Sequence, residues 1–232
     1  MEDLVETDFE ARLRTMVEEL EASPELTVKV GPNGPLGTHL GSPAEALKKI
    51  GDYRDITLPP SLAENFHRHS DFHVYWRSDR PGPSIGGELR LTHIGVAIMS
   101  APAAWPADVA RNDKERELFR QLKFFDMQPT GGLGTCAAFR VPGDGGEPEV
   151  WYFDPRQLGF LRLDIGYGGY LDKVLLTRGL YYWQYLFVDP GDTREPLSET
   201  LSDLGTDLAF LENTFPDDDF SELRDRLRQH QE

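Results

Sequence analysis

Phe72-His73-Val74-Tyr75-Trp76-Arg77 alternates apolar and polar side chains, and after the turn Pro81-Gly82-Pro83 the alternation returns as Leu89 and Leu91 against Glu88, Arg90 and Thr92. A period of two sends successive side chains to opposite faces of a sheet, so the pair predicts an antiparallel hairpin with one face in a core. Ile94, Val96 and Ile98 read as a continuation of the second strand or a strand after it. The pattern resumes over Thr135 to Val141, turns at Gly143-Asp144-Gly145-Gly146 and returns through Val150 to Phe153, and Phe160 to Ile165 adds a further strand. Three or more neighbouring antiparallel strands are what a stable, half-exposed sheet requires.

Helical spacing surrounds these strands. Phe9, Leu13, Met16 and Leu20 form one apolar face of a helix over 6–22, with Glu10, Glu18, Glu19 and Glu21 outward. Gly31 to Gly37 is a loop, dense in glycine and proline. Ser42 and Glu45 stand at capping-box spacing ahead of a short helix with Ala44, Leu47 and Ile50 inward. Ile56 to Leu62 is extended and leads into a helix through Phe66. Residues 100–134 read as an insertion between strands, with a helix from Asp113 whose face is Leu118, Leu122 and Phe125. Tyr167, Leu171 and Val174 begin a core helix that Gly179 kinks or breaks before Leu180, Trp183 and Phe187. Leu197, Leu201, Leu204, Leu208 and Leu211 step by four and three as an amphipathic helix that Pro216 ends, and Phe220, Leu223 and Leu227 mark a last one, giving C-terminal helices within 197–230.

These elements predict an α+β chain that folds as a single domain over 1–232, with its core at about 40–190. A chain that is 39% hydrophobic and 11% aromatic can bury enough surface to offset its conformational entropy. No apolar run approaches the roughly 20 residues that span a bilayer, and the acidic start Met1-Glu2-Asp3 lacks the basic and apolar segments of an export signal, so a cytoplasmic location is expected. The one cysteine, Cys136, cannot form an internal disulfide. A net charge of −16 repels phosphate backbones and anionic membranes, and favours fast encounter with a basic protein.

Candidate chemistry is sparse. His67, His69 and His73, with His93 more distant, are metal-ligand types, but on a helix His67 and His69 diverge, and a polar segment leading into a strand is the plainer reading. Thr130-Gly131-Gly132-Leu133-Gly134-Thr135 resembles a phosphate-cradling loop yet lacks the lysine and the following helix. Cys136 and His93 would make a nucleophile and base, although Cys-Ala-Ala-Phe is an apolar strand in which a thiol is a small core residue. Asp154 and Asp164 could face each other as paired carboxylates, with turn and edge roles as the alternative. Glu2, Asp3, Glu6 and Asp8 at one end and Asp217, Asp218, Asp219, Glu222 and Asp225 at the other form a surface that imitates nucleic-acid phosphate, or serve as helix caps and solvating charge. Tyr181, Tyr182, Trp183 and Tyr185 are a recognition patch or divide between core and surface. No cofactor and no catalytic residue is expected. The expected partner-binding residues are Asp217, Asp218, Asp219 and Glu222, with Trp76, Asp79 and Glu88 as an alternative patch on the sheet.

Leu58-Pro59-Pro60-Ser61-Leu62, the antiparallel strands after it, Tyr152-Phe153-Asp154 and the run from Tyr170-Leu171 through Gly179 to Phe187 together resemble the SUKH superfamily over about residues 40–190. Two features depart from that pattern: His69-Ser70-Asp71 stands where many members carry an Asn-Gly turn, and residues 100–134 are additional. The resemblance implies a curved, mainly antiparallel sheet with helices packed on one side, to which this chain adds N- and C-terminal helices. It also implies an intracellular immunity protein, a monomer or weak dimer, that binds a cognate toxin such as a nuclease and occludes its active site. A regulatory or scaffolding module in cell-wall or stress control is the alternative, and a metal-dependent enzyme at His67, His69 and His73 the third.

Overall fold

The structure, a computed structural model, describes residues 6–31, 42–82, 84–101, 105–142, 145–193 and 195–231. Among them seven strands form one open antiparallel sheet in sequence order: β1 (Leu26–Val30), β2 (Asp71–Ser78), β3 (Gly86–Thr92), β4 (Lys123–Met127), β5 (Cys136–Arg140), β6 (Glu149–Asp154) and β7 (Gly159–Gly166). The helices are α1 (Asp8–Ala22), α2 (Pro43–Arg54), α3 (Ile94–Met99), α4 (Asp113–Phe119), α5 (Tyr167–Thr177), α6 (Ser198–Thr214) and α7 (Ser221–Gln231), which makes the chain α+β as expected. The expected loop over Pro32 to Gly37, Pro83 of the first turn, Gly143 and Asp144 of the second, and the acids Glu2 and Asp3 lie outside the described residues.

Alternation in β2, β3 and β5–β7 sends Val74, Trp76, Leu89, Phe139, Tyr152 and Leu161 into the main core, where they meet α1, α5, α6 and α7. Phe9, Leu13, Met16 and Leu20 of α1 are all buried there, and each such side chain contributes about 1.5–3 kcal/mol. Thr7 starts that helix: its Oγ1 accepts from the Glu10 N–H at 3.1 Å and its own N–H donates to the Glu10 carboxylate at 2.9 Å. Glu10 is therefore buried, not outward. Its carboxylate also accepts from the Arg68 N–H at 2.6 Å and pairs with the Arg68 guanidinium. Burial raises its pKa, but the hydrogen bonds from Arg68 and Thr7 outweigh that and bring it to about 2. On α2 the inner positions are Ala46 and Leu47, while Ala44 is exposed.

A smaller cluster of Phe119, Leu122, Cys136, Ala138, Phe153 and Phe160 covers the opposite face of the sheet, under α4 and the 3-10 turn Trp105–Val109. Four expectations change here. Residues 100–134 are no insertion, since they supply β4 at the centre of the sheet. Phe124 faces the smaller cluster and Phe125 the main core across a bulge, so Phe125 belongs to a strand and not to a helix face shared with Leu118. Ile94, Val96 and Ile98 lie in α3, where Ile94, Ala97 and Ile98 point inward at helical spacing. The helix expected through Phe66 is one 3-10 turn, Pro60–Ala63.

β3 and β4 share a single register pair, Leu91 with Asp126. Below it a wedge of chain after α5 takes the free edge of β3: Gly179 O accepts from the Glu88 N–H at 2.8 Å, and the Tyr181 N–H donates to Gly86 O at 3.2 Å. The break at Gly179 makes this possible. Its φ is +68°, and a Cβ there would stand 2.7 Å from Glu88 O. Arg178, just before it, is buried and pairs with Glu19 of α1 at 2.6 Å and with Asp218 ahead of α7 at 2.7 Å, while its carbonyl accepts from Trp76 Nε1. One arginine thus ties both terminal additions to the sheet.

Candidate protein-docking site

The loops that close β4 to β5 and β6 to β7 meet at one end of the sheet, beside the wedge. The first is held from below by Glu88. Its carboxylate, fully buried, accepts from the N–H groups of Thr130 at 2.8 Å and Gly131 at 3.0 Å, and meets His73 Nε2 at 2.8 Å. Those amides are the ones a phosphate would need, so the Thr130–Thr135 loop cradles a carboxylate of its own chain. Gly131 cannot carry a side chain, because a Cβ there would stand 2.0 Å from the Tyr181 hydroxyl. Gln128 completes the brace, donating to Glu88 O at 2.9 Å and accepting from Thr135 Oγ1 at 2.5 Å.

The second loop is braced by Asp154. This buried carboxylate accepts from the Arg156 N–H at 2.8 Å, from Arg156 Nη2 at 2.7 Å and from the Tyr185 hydroxyl at 2.8 Å. The Arg156 guanidinium lies over the Tyr182 ring, 4.2 Å from its centroid, which fixes it from a second direction. The hydrogen bond to Asp154 raises the pKa of Arg156 further.

On these two frames sit Leu133 and Leu158, 74% and 60% exposed, with φ of 54° and 49°. A left-handed backbone costs a branched residue about 1–2 kcal/mol, and exposure returns nothing to the fold. Tyr182, half-buried beside Arg156, has φ of 67°. Next to Gly134 opens a pocket of about 380 Å³ walled by Trp105, Phe124, Met127, Pro129, Cys136 and Phe153. Trp105 stacks on Phe124 at 5.4 Å and remains 39% exposed.

At the far end of the sheet a groove of about 510 Å³ is lined by Glu147, Glu149, Asp164, Asp189 and Asp192 with Arg162. Two of its five carboxylates are paired: Glu149 with Arg140 at 2.8 Å and Asp164 with Arg226 at 2.8 Å.

No family model, curated protein or solved structure matches the chain.

The structure redistributes the residues singled out in the sequence. Trp76 and Glu88 are fully buried and offer no surface to a partner, because the wedge and the Thr130 loop cover the end of the sheet where strand alternation alone would leave Glu88 open. Asp79 is exposed and accepts from Thr27 Oγ1 at 2.7 Å. Asp218 pairs with Arg178. Asp219 caps the Ser221 N–H at 2.9 Å, and this bonding to Ser221 lowers its pKa. Glu222 pairs with Lys173 at 2.5 Å and Arg226 at 3.3 Å. Asp217 is exposed. Of the four acids near the C-terminus, Asp218, Asp219 and Glu222 are thus engaged with the fold.

His67 and His93 are buried edge to face, 5.7 Å apart, and His69 stacks on His67 at 6.3 Å, while His73 lies away with Glu88. Among the described residues no group of three or more histidine, cysteine or carboxylate side chains is arranged to hold a metal ion. Burial, followed by the neighbouring imidazoles, lowers the pKa of His67 to about 3, and burial lowers that of His93 to about 4. Cys136 lies in the smaller cluster, across the sheet from His93 at the start of α3, and burial pushes its thiol up. Asp154 and Asp164 serve opposite ends of the sheet. Trp183 and Tyr185 are buried, and Tyr181 and Tyr182 reach the surface. Trp105, Leu133, Arg156 and Leu158 were not signalled; the available cue was a leucine flanked by glycines in Gly132-Leu133-Gly134.

Proposed function

We propose that this chain works by binding another protein at the loop end of its sheet, and that it is a SUKH-type immunity protein that covers the active site of a cognate toxin in the cytoplasm. The observation that carries the docking part is the pair Leu133 and Leu158, large apolar side chains held exposed on a strained backbone by buried carboxylates. Strain of this kind persists where the surrounding structure over-determines it, and it clusters at recognition sites. The tyrosine, the tryptophan pocket and the fixed arginine beside these leucines are the residue types enriched among the anchors of protein interfaces. The net charge of −16 supports a basic partner, drawn in at long range. In this reading the chain catalyses nothing.

The test is binding between the purified chain and each protein encoded beside its gene, with any toxic activity of that protein followed in parallel. Stoichiometric binding that abolishes the activity, and that weakens at least about tenfold in Leu133→Asp, is expected. Undiminished binding by Leu133→Asp would remove the loop end from the interface, and full toxic activity in the complex would remove the immunity role.

A further inference from the structure

Arg156 is held on two sides and open on the third. Its Nε and Nη2 form a fork on the Asp154 carboxylate at 3.0 and 2.7 Å, and the Tyr182 ring covers one face. Asp154 is itself fixed by the Tyr185 hydroxyl, so neither member of the pair can swing away without leaving a buried charge. No hydrogen bond from Nη1 to another described residue accompanies these contacts, and the side chain is 46% exposed. It is also bracketed by apolar residues: Leu158 lies two residues on, and a Cβ at Gly134, next to Leu133, would stand 4.0 Å from Pro155 Cγ.

We propose that Arg156 is the point at which the docked protein is read, and that it receives an aspartate or glutamate side chain standing next to an apolar residue, which rests on Leu133 and Leu158. This rests on the docking reading above. The charge-assisted bond to a guanidinium already immobilised costs little ordering, which is what makes a fixed arginine selective. A carboxylate fits better than a phosphate because the −16 chain repels a polyanion, and the Nη1/Nη2 edge that Asp154 leaves open can hold a carboxylate. A basic partner is compatible, since net charge governs approach while one local pair fixes register.

The wild-type protein can be tested with a matched pair of probes, Ac-Leu-Asp-NH2 and Ac-Leu-Asn-NH2, which differ only in the carboxylate, with inorganic phosphate as a third. NMR shifts of the Leu133 and Leu158 methyl groups and the Arg156 side-chain N–H groups report each titration. The expected result is that the aspartyl peptide moves all three signals with about tenfold higher affinity than the asparaginyl peptide. In Arg156→Gln the two peptides should become equivalent while the methyl shifts persist. Equal affinities in the wild type would overturn the carboxylate inference and leave the docking reading intact, whereas no methyl shift with either peptide would overturn both. Phosphate binding at Arg156 without aspartyl binding would overturn the inference in favour of an anion site.

Discussion

The two ends of the sheet use carboxylates in opposite ways. At the loop end Glu88 and Asp154 are buried, each accepts several hydrogen bonds, and their effect is to hold apolar side chains out in water. At the groove end Glu149 and Asp164 are partly or largely exposed and paired with arginines, one of which, Arg226, lies over the buried Phe187 ring. Buried and fully bonded charge gives rigidity, which specific recognition needs, and exposed charge gives long-range attraction, which fast encounter needs. Under the proposed docking role, approach and recognition would fall to different regions of one molecule.

The sharpest break of this contrast is a pair of truncations. Glu88→Ala leaves the Thr130 and Gly131 amides without their acceptor and should cost about 3 kcal/mol by urea unfolding, whereas Glu149→Ala should cost less than about 1 kcal/mol, and less still in salt. Comparable losses would mean that the two ends are braced alike.

Acid should act on the interior under α1. His67 and His93 have folded pKa values below the ordinary imidazole value, so the unfolded chain binds more protons as pH falls. Their contribution is complete above about pH 6.5 and is lost on going down towards pH 4 and 3. Asp126, raised by burial to about 6, works the other way over the same range, as does Asp207, raised by burial and by Asp203. His67→Leu keeps both acids, so the difference between proteins isolates the imidazole: the loss of stability from pH 7 to pH 5 should be smaller in the variant by about 2 kcal/mol. Parallel pH profiles would show that His67 does not titrate with unfolding.

A smaller effect should appear with the opposite sign. Leu133→Asn places a residue that tolerates a left-handed backbone at φ 54° and should stabilise the protein by up to about 1 kcal/mol, while Asp192→Asn in the groove should stay within about 0.5 kcal/mol. Smallest of all, Asp189→Asn with Asp192→Asn should slow association with a basic partner a few-fold at low salt and leave dissociation unchanged, as stopped-flow rates would register.

Much of the fold was legible in the sequence because single-faced elements keep a clean period. Phe9, Leu13, Met16 and Leu20, and the leucines of α6, have one buried side each, and the hairpin of β2 and β3 alternates throughout. Legibility failed where both faces are apolar. β4 meets a core on each side and carries a bulge, so Phe124 and Phe125 follow neither period, and the short helix α3 has apolar residues at alternate positions as well as helical ones. The site was the least visible part. Glu88 was read as exposed because the loop that buries it arrives from more than 40 positions along the chain, and nothing local marks Leu158 as left-handed.

The most direct test of the central claim combines Leu133→Asn with Leu158→Asn. Both positions are exposed, so the melting temperature should stay at or above that of the wild type, while affinity for a partner that binds the wild-type chain should fall at least about tenfold. A folded double variant that bound the partner as tightly as the wild type would contradict the account.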